Sequence, residues 1–408
     1  MVGDFLVDGA RIMARRRSRG LTRRILADLV GCSEEWLRLV ENGVRPLDRL
    51  STIMRIAEVL HVEDLSELVA GRTRLPPACD HPEPDEVGNA LLLPGRPTGE
   101  AAENVTRVRQ HVTAAWEIWQ RSPRRYTETR RRLPPLLSMA DRSARDATGA
   151  DRETAAAGLT EVYRLFTALL RSSGQYALAL LAADRAVASS AGSSAGSSAG
   201  SAAGSAAGSA AGSAAGSAAG SAAGSAITQA EVAGVLVSLG RYADARRLCL
   251  AVIDERPGSP QVTGLCYLTA ALAAAEESDV LRAEELLNHA RKIGDRLGPE
   301  FALEVDVHRV AVAVRTGRYA RAVRLAADVD ADRLPDRDRQ ARHLLAVATA
   351  HAMEGDSGAA MALLWRIVEG CPEELRFNAD AGRVLARLRA MDCESTRGEL
   401  REMTRITA

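Results

Sequence analysis

The residue types that most often carry enzymatic or metal chemistry occur in this chain, but they do not stand at the spacings that such chemistry needs. The six cysteines form no Cys-x-x-Cys pair and the seven histidines are dispersed, so no set of metal ligands is indicated. The GxxxxGK[ST], HExxH and GxGxxG sequences are absent. We therefore expect no enzymatic activity, no cofactor and no metal site.

Charged and hydroxyl side chains that suit nucleic-acid contacts are concentrated in residues 21–43, LTRRILADLVGCSEEWLRLVENG. The spacing of the apolar residues predicts two helices on either side of a turn at Gly31-Cys32. Thr22 and Ser33 are good N-caps for these helices, and Asn42-Gly43 is expected to end the second in a left-handed cap. The predicted apolar stripes are Ile25, Leu26, Leu29 and Val30 on the first helix and Trp36, Leu37 and Val40 on the second.

Further short helices are predicted around this stretch: a basic one over residues 8–17, one over 50–60 and one near 63–69. Taken together, these elements resemble the Cro/repressor-type, or XRE-like, helix-turn-helix domain from Gly9 to about Gly71. The resemblance rests on GLT before the first helix of the pair, LADLVG at the turn, SxxWL in the second helix, VENG at its end and RPLDRLSTIMRIAEVL afterwards.

The resemblance implies that the second helix of the pair enters the major groove of duplex DNA. Arg38 would then donate to guanine O6 and N7, and Glu34 or Glu35 would accept from cytosine N4. Two carboxylates at the start of this helix also repel phosphate. The alternative that this domain does not bind DNA therefore stays open. The family places Ser33, Glu34, Glu35 and Arg38 at bases, and Thr22, Arg23, Arg24, Arg45 and Arg49 at phosphates.

A six-residue sequence, called the turn phrase below, recurs later in the chain as GQYALA (174–179), GRYADA (240–245) and GRYARA (317–322). Each copy follows one apolar-periodic helix and begins another. Clear copies begin at Gly174, Gly240 and Gly317, and weaker copies begin at Glu277 and Gly355. The pattern resembles tetratricopeptide-type repeats over most of residues 153–390, which implies stacked helix pairs whose concave face takes a peptide or another partner.

Small residues of the phrases are expected to let the paired helices approach closely; they are Ala177, Ala243, Ala245, Ala320 and Ala322. Polar and aromatic residues expected on the first helices are Tyr163, Gln229, Tyr267, His308, Arg309, Arg342 and His343. None of them is assigned a ligand contact, so the ligand-binding residues are unknown at this stage.

Two stretches lack a hydrophobic pattern. Residues 76–103 are rich in proline, so we expect a linker with no regular element. Residues 189–226 are Ser/Ala/Gly repeats without an apolar side chain larger than alanine, which predicts a flexible linker and a possible gap in the repeat array. Between them, Pro134-Pro135 is expected to break a helix, and the basic run 121–132 is expected to be a solvated helix end.

The composition favours helix over sheet, because 46% of the residues are hydrophobic but only 3% are aromatic. The formal net charge is zero, so any affinity for nucleic acid must come from local charge. The predicted class is all-α, a helix-turn-helix bundle followed by a tetratricopeptide-like solenoid. The predicted domains are 1–75 (helix-turn-helix), 76–103 (linker), 104–188 (helical lead-in and first repeat), 189–226 (low-complexity linker) and 227–408 (repeats).

Together the two resemblances imply an actinobacterial-type transcription regulator, cytoplasmic and dimeric, with no membrane segment. Its partners would be double-stranded DNA and a peptide or other effector that binds the repeats and controls DNA binding. Two alternatives stay open: an interaction adaptor that does not bind DNA, and a one-component sensor whose repeats hold a small metabolite.

Overall fold

The computed structural model describes residues 9–19, 21–42, 50–60, 62, 86–92, 104–149, 151–194, 221–255, 260–391 and 394–407. Within these ranges every regular element is a helix, which confirms the all-α prediction. The chain divides into two units, Met1–Pro77 and Ala78–Ala408. Among the described helices, none combines the length and apolar character needed to cross a membrane.

The N-terminal unit is a small helical bundle built around one apolar core. Its described helices are α1 (Gly9–Ser18), α2 (Arg23–Val30), α3 (Glu34–Glu41) and α4 (Leu50–Val59). Ile12, Leu26, Leu37 and Ile56, one from each helix, are fully buried against one another. The helix predicted near residues 63–69 lies outside the described residues.

The second unit is an array of antiparallel helix pairs, which confirms the predicted repeat solenoid. Its helices are α5 (Glu86–Leu92), α6 (Val105–Arg121), α7 (Arg125–Asp146), α8 (Asp151–Ser172), α9 (Tyr176–Ser194), α10 (Ser221–Ser238), α11 (Tyr242–Glu255), α12 (Pro260–Glu276), α13 (Val280–Leu297), α14 (Pro299–Arg315), α15 (Tyr319–Ala326), α16 (Arg337–Glu354), α17 (Ser357–Gly370), α18 (Glu373–Phe377), α19 (Ala379–Met391) and α20 (Glu394–Thr407). Pairs α8–α9, α10–α11, α12–α13, α14–α15 and α16–α17 stack in chain order.

Each turn phrase closes its helix with one residue in the left-handed region. Gly174, Gly240, Gly317 and Gly355 have φ between 71° and 87°, and Ser278 takes this place in the weaker phrase with φ 61°. The next residue donates its N–H to a carbonyl five residues back, as Arg241 does to Leu236 at 2.8 Å. This 6→1 bond is the Schellman motif, so the repeated phrase is a repeated helix stop.

The alanine that brings the paired helices together occupies one constant position. The residues five places after the left-handed residue are all fully buried, namely Ala179, Ala245, Ala283, Ala322 and Ala360. By contrast, Ala177, Ala243 and Ala320 are exposed, so the expectation of close packing was wrong for these three. In the three clear phrases, the first alanine lies on the outer face of its helix.

The proline-rich segment contains a helix that the sequence did not predict. Helix α5 lies within residues 76–103, and its Val87 and Leu91 are buried in the core that α7 and α9 share. Arg185 of α9 donates to the carbonyl of Leu91, which satisfies the end of this short helix. The expectation of no regular element was therefore wrong for residues 86–92, because tertiary burial outweighs weak local propensity.

Helix α7 runs without interruption through Pro134 and Pro135. The expected break was therefore wrong. Proline inside a helix costs about 3 kcal/mol, because it removes a hydrogen bond and crowds the preceding turn. The neighbouring Leu133, Leu136 and Leu137 are almost completely buried, and packing on this scale is sufficient to offset that cost.

The described ends of the Ser/Ala/Gly tract are helical. Residues 189–194 complete α9 and residues 221–226 begin α10, where Ser190 and Ala226 are buried. Helices α9 and α10 pack directly against each other, so the expected gap between neighbouring pairs does not occur here. Residues 195–220 lie outside the described residues.

Candidate DNA-binding face and charged cluster of the repeats

The helix-turn-helix is held by the two caps and the turn that the sequence predicted. Oγ1 of Thr22 accepts from the N–H of Ile25 at 3.2 Å, and Oγ of Ser33 accepts from the N–H of Trp36 at 3.1 Å. Gly31 lies between the two helices with φ 82°. Its left-handed conformation turns the chain sharply enough to bring α3 against α2.

The apolar stripe of α2 is narrower than predicted. Leu26 is fully buried, but Ile25 and Leu29 are 45% and 49% exposed, so their assignment to the stripe was wrong. On α3, Leu37 and Val40 face the core as expected. Asn42 ends α3 with φ −88°, and Gly43 lies outside the described residues, so the left-handed cap at Asn42-Gly43 stays a prediction.

A buried ion pair joins α3 to α1 and α2. The carboxylate of Glu41 is completely buried; it accepts from Nε and Nη2 of Arg16 at 2.6 and 2.9 Å, and from Nε of Arg23 at 2.9 Å. Burial raises the pKa of Glu41, but the bonds from Arg16 and Arg23 outweigh it and leave the pKa below its ordinary value. Arg23, predicted to contact phosphate, therefore also braces the bundle.

A second ion pair lies on the exposed face of α3. Nε and Nη2 of Arg38 donate to Oε2 and Oε1 of Glu35 at 2.8 and 2.6 Å, forming a two-bond fork. This hydrogen bonding lowers the pKa of Glu35 and raises the pKa of Arg38. In the free chain, the guanidinium predicted to read guanine is thus engaged by its own neighbour.

Most of the predicted DNA contacts share the accessible surface of α2 and α3. Arg23 is partly buried, Arg45 and Arg49 lie outside the described residues, and those that are exposed are Thr22, Arg24, Ser33, Glu34, Glu35 and Arg38. The sequence reasoning missed Arg16 and Glu41. An acidic residue directly after the inward-facing Val40 was the available signal for a buried pair.

Early and late helices of the repeat array are in contact, because the turn between α6 and α7 packs against α16 and α18. Nε of Arg337 donates to the carbonyl of Arg121 at 2.7 Å, and the N–H of Tyr126 donates to Glu373 at 2.8 Å. Sγ of Cys371 donates to the carbonyl of Pro123 at 3.2 Å. The α6–α7 pair is therefore anchored to α16 and α18, which lie far along the chain.

Arg125 occupies the centre of this contact and is fully buried. Its Nε donates to Oε1 of Glu374 at 2.5 Å, its Nη2 donates to Oδ1 of Asp338 at 3.1 Å, and its guanidinium lies 4.1 Å from the ring centre of Trp119. Burial lowers the pKa of Arg125, but the charges of Glu374 and Asp338 raise it well above its ordinary value. The expected solvated helix end was therefore wrong for Arg125 and for the equally buried Tyr126.

A charged cluster of Arg125, Arg171, Asp338, Arg342 and Glu374 extends this contact to α8. Nη2 of Arg342 donates to Oδ2 of Asp338 at 2.8 Å, and Arg171 lies within the electrostatic reach of both. Burial raises the pKa of Asp338, but Arg342, Arg125 and Arg171 outweigh it and hold the pKa far below its ordinary value. Four helices thus contribute charged side chains to one cluster.

The polar residues expected on the first helices have different surroundings. Arg342 belongs to the charged cluster, and His308 lies 3.5 Å from the carboxylate of Glu304. The ring of Tyr267 stacks on that of His289 of α13, with 5.1 Å between the ring centres. His343 is buried. Arg171 was not among the residues considered, and nothing in its sequence context marked it.

Comparison with known proteins agrees with the geometry of the N-terminal unit. Residues 9–77 match the family described as "Helix-turn-helix domain". The N-terminal unit carries a helix-turn-helix domain. No curated protein sequence matches the chain significantly.

One solved structure that resembles the chain is Bacillus thuringiensis PlcR in complex with the peptide PapR7 and DNA. The two sequences are 11% identical, and the match covers 89% of this chain and 99% of that one with a TM-score of 0.33. A likeness at this level gives no support to a common ligand or function.

Proposed function

We propose that the protein is a sequence-specific DNA-binding transcription regulator of the XRE type, cytoplasmic and dimeric, whose repeats bind a peptide or other effector that controls DNA binding. The observation that carries the proposal is the helix-turn-helix match over residues 9–77, with the N-terminal end of α3 exposed. Side chains at the start of the second helix of this motif read bases, while neighbouring basic residues hold phosphate.

The exposed arginines give the DNA proposal its test. Full-length protein should select a recurring motif from random duplexes at moderate salt. Arg24→Gln should weaken binding to all sequences alike and reduce the salt slope by about one, as expected for a phosphate contact. Arg38→Gln should relax the preference at one base position. Arg152→Gln, an exposed arginine of the repeats, is the matched control. A selection that enriches no motif would contradict the proposal.

The second candidate, an interaction adaptor, is favoured by the Glu35–Arg38 fork, because it withholds the reading arginine and leaves two carboxylates at the start of α3. Duplex affinity of the double variant Glu34→Gln/Glu35→Gln separates the two functions. Binding that exists in the wild type and strengthens in the variant supports the regulator. Binding that appears only in the variant supports the adaptor.

Control by the repeats is tested by comparing the full chain with a fragment of residues 1–77, which form a compact unit of their own. We expect the fragment to be monomeric and to bind an isolated operator more weakly than the full chain, because paired readers on paired half-sites gain from being linked. Equal affinity and equal oligomeric state would refute the regulatory role of the repeats. Circular dichroism of the fragment verifies that it is folded.

A further inference from the structure

A basic recess lies at the start of α7, outside the surfaces that the proposed function uses. Its volume is about 270 Å³, and it is lined by Arg124, Thr127, Glu128, Arg131 and Arg132. Residues three or four positions apart lie on the same side of an α-helix, which explains why these five share one recess. The three arginines are exposed. Three guanidinium groups therefore share this recess with a single carboxylate.

The three arginines of the recess form no ion pair with a carboxylate of the described residues. Glu128 is four residues from Arg124 and from Arg132, a spacing at which pairs form on a helix, but it pairs with neither. Elsewhere in the chain exposed arginines do form such pairs, as Arg282 does with Glu285 at 2.6 Å. The guanidinium groups of the recess are therefore available to an external anion.

The two acids that α18 brings to the start of α7 have donors of their own. Glu373 accepts from the N–H groups of Tyr126 and Thr127 at 2.8 and 3.2 Å, and from the hydroxyl of Thr127. Glu374 accepts from Nε of Arg125 at 2.5 Å. Even when Glu373, which borders the recess at Thr127, is counted with the carboxylate inside it, three guanidinium groups face two carboxylates. The recess therefore carries excess positive charge.

The contacts with α16 and α18 also hold this end of α7 in place. The bonds to Glu373 fix the backbone of the first turn, and the fully buried Arg125 anchors its first residue. Arg337 of α16 adds a further guanidinium at the turn before α7, where its Nε and Nη1 donate to the neutral carbonyls of Arg121 and Gly370. The backbone that carries the recess is thus preorganised, which lowers the ordering cost of binding an anion.

We infer that Arg124, Arg131 and Arg132 bind a phosphate monoester group in this recess. Such a group carries a charge of about −1.5 to −2 at pH 7 and three acceptor oxygens. A planar guanidinium donates two parallel hydrogen bonds to phosphate oxygens. An excess of one or two positive charges is matched more fully by this group than by the single charge of a carboxylate or a phosphate diester. That the phosphate belongs to the effector rests on the proposed function, whereas its binding does not.

The direct test uses methyl phosphate, whose single phosphorus resonance reports on binding. Full-length protein should broaden this resonance at constant ionic strength. Arg131→Gln and Arg132→Gln should each weaken binding by about fivefold, the effect of one charge pair at the surface. The matched controls are Arg152→Gln on α8 and Arg24→Gln on the predicted DNA-binding face, and both should bind as the wild type does. No broadening by the wild type, or equal losses in the controls, would overturn the inference.

Glu128→Gln provides a test of the opposite sign in the same recess. Removing the carboxylate leaves the three arginines without a like-charged competitor for the phosphate, so methyl phosphate should bind about fivefold more tightly. A loss of folded protein cannot produce such a gain. Unchanged or weaker binding in this variant would contradict the site.

The choice of a monoester is tested with dimethyl phosphate, which is a diester like the backbone of nucleic acids. We expect it to bind the wild-type protein more weakly than methyl phosphate does, because it carries only one negative charge. Equal or tighter binding of dimethyl phosphate would overturn the choice of a monoester. None of these outcomes affects the selection of DNA by the N-terminal unit, so the two proposals fail separately.

Discussion

Nε of Arg125 lies 2.5 Å from Oε1 of Glu374, although 249 residues separate the two in sequence. Removing one partner of such a buried pair leaves an uncompensated charge, which costs about 3–5 kcal/mol. We therefore expect Arg125→Met and Glu374→Gln each to lower the free energy of unfolding by about this amount, and the double variant to cost less than their sum. Chemical denaturation measures all three.

The exposed pair Arg282–Glu285 provides the control for that cycle. Arg282→Gln should change the free energy of unfolding by less than about 1 kcal/mol, because solvent screens the pair. Additive losses at Arg125 and Glu374 would show that the two residues do not stabilise the fold as a pair.

The fork between Glu35 and Arg38 predicts that two neighbouring substitutions increase DNA affinity by unequal amounts. Glu34→Gln and Glu35→Gln each remove one charge that repels phosphate, but only Glu35→Gln releases the guanidinium of Arg38. We expect Glu35→Gln to increase operator affinity by up to about tenfold, or 1.4 kcal/mol, and Glu34→Gln to have a smaller effect. Fluorescence anisotropy at fixed salt measures both, and an equal gain would mean that the fork does not restrain Arg38.

The residues with left-handed backbone angles in the turn phrases predict stability changes of opposite sign for two substitutions. Gly317 has φ 71° with open space around its missing Cβ, so Gly317→Ser should cost about 1 kcal/mol through backbone strain alone. Ser278 already bears that strain at φ 61°, so Ser278→Gly should be stabilising by about 0.5 kcal/mol. Thermal unfolding of the two variants tests the sign of each change. A stability loss in Ser278→Gly would contradict the account.

The burial of His343 predicts that the free energy of unfolding decreases in mild acid. Burial, with a smaller contribution from Arg366, lowers the pKa of His343 to about 4 from its ordinary 6.5. Between these values the unfolded chain binds the proton and the folded chain does not, so the free energy of unfolding falls as the pH falls from about 6.5 to about 4. His343→Gln should flatten this dependence, while the control His351→Gln should not. Denaturation at several pH values provides the measurement.

The sequence predicted those features of the fold that local chemistry determines. Thr22, Ser33 and Gly31 act through atoms a few residues away, and the glycines of the turn phrases act through their own backbone angles. For this reason the caps, the turn and the helix stops were predicted correctly. The same local signals predicted that α2 and α3 form a helix-turn-helix.

The features that the sequence did not predict depend on partners far away in the chain. Arg125 belongs to a basic run that the sequence alone indicates to be solvent-exposed. Only the folded chain places Glu374 and Asp338 beside it. Pro134 looks like a helix breaker until the burial of its neighbours is known. On α2, Ile25 and Leu29 fit the helical period, but no other described helix covers their side chains.

The contact of α6 and α7 with α16 and α18 has a consequence for folding during synthesis, because its two sides are made far apart in time. During synthesis, Trp119, Arg125 and Tyr126 leave the ribosome about 250 residues before Glu374 does. Until Asp338 and then Glu374 follow, a nascent chain carries Arg125 without either of its carboxylate partners, beside aromatic rings. Contacts of such long sequence separation form slowly. Truncation before residue 374 should therefore yield chains that aggregate or recruit chaperones, even though most of their repeats are intact.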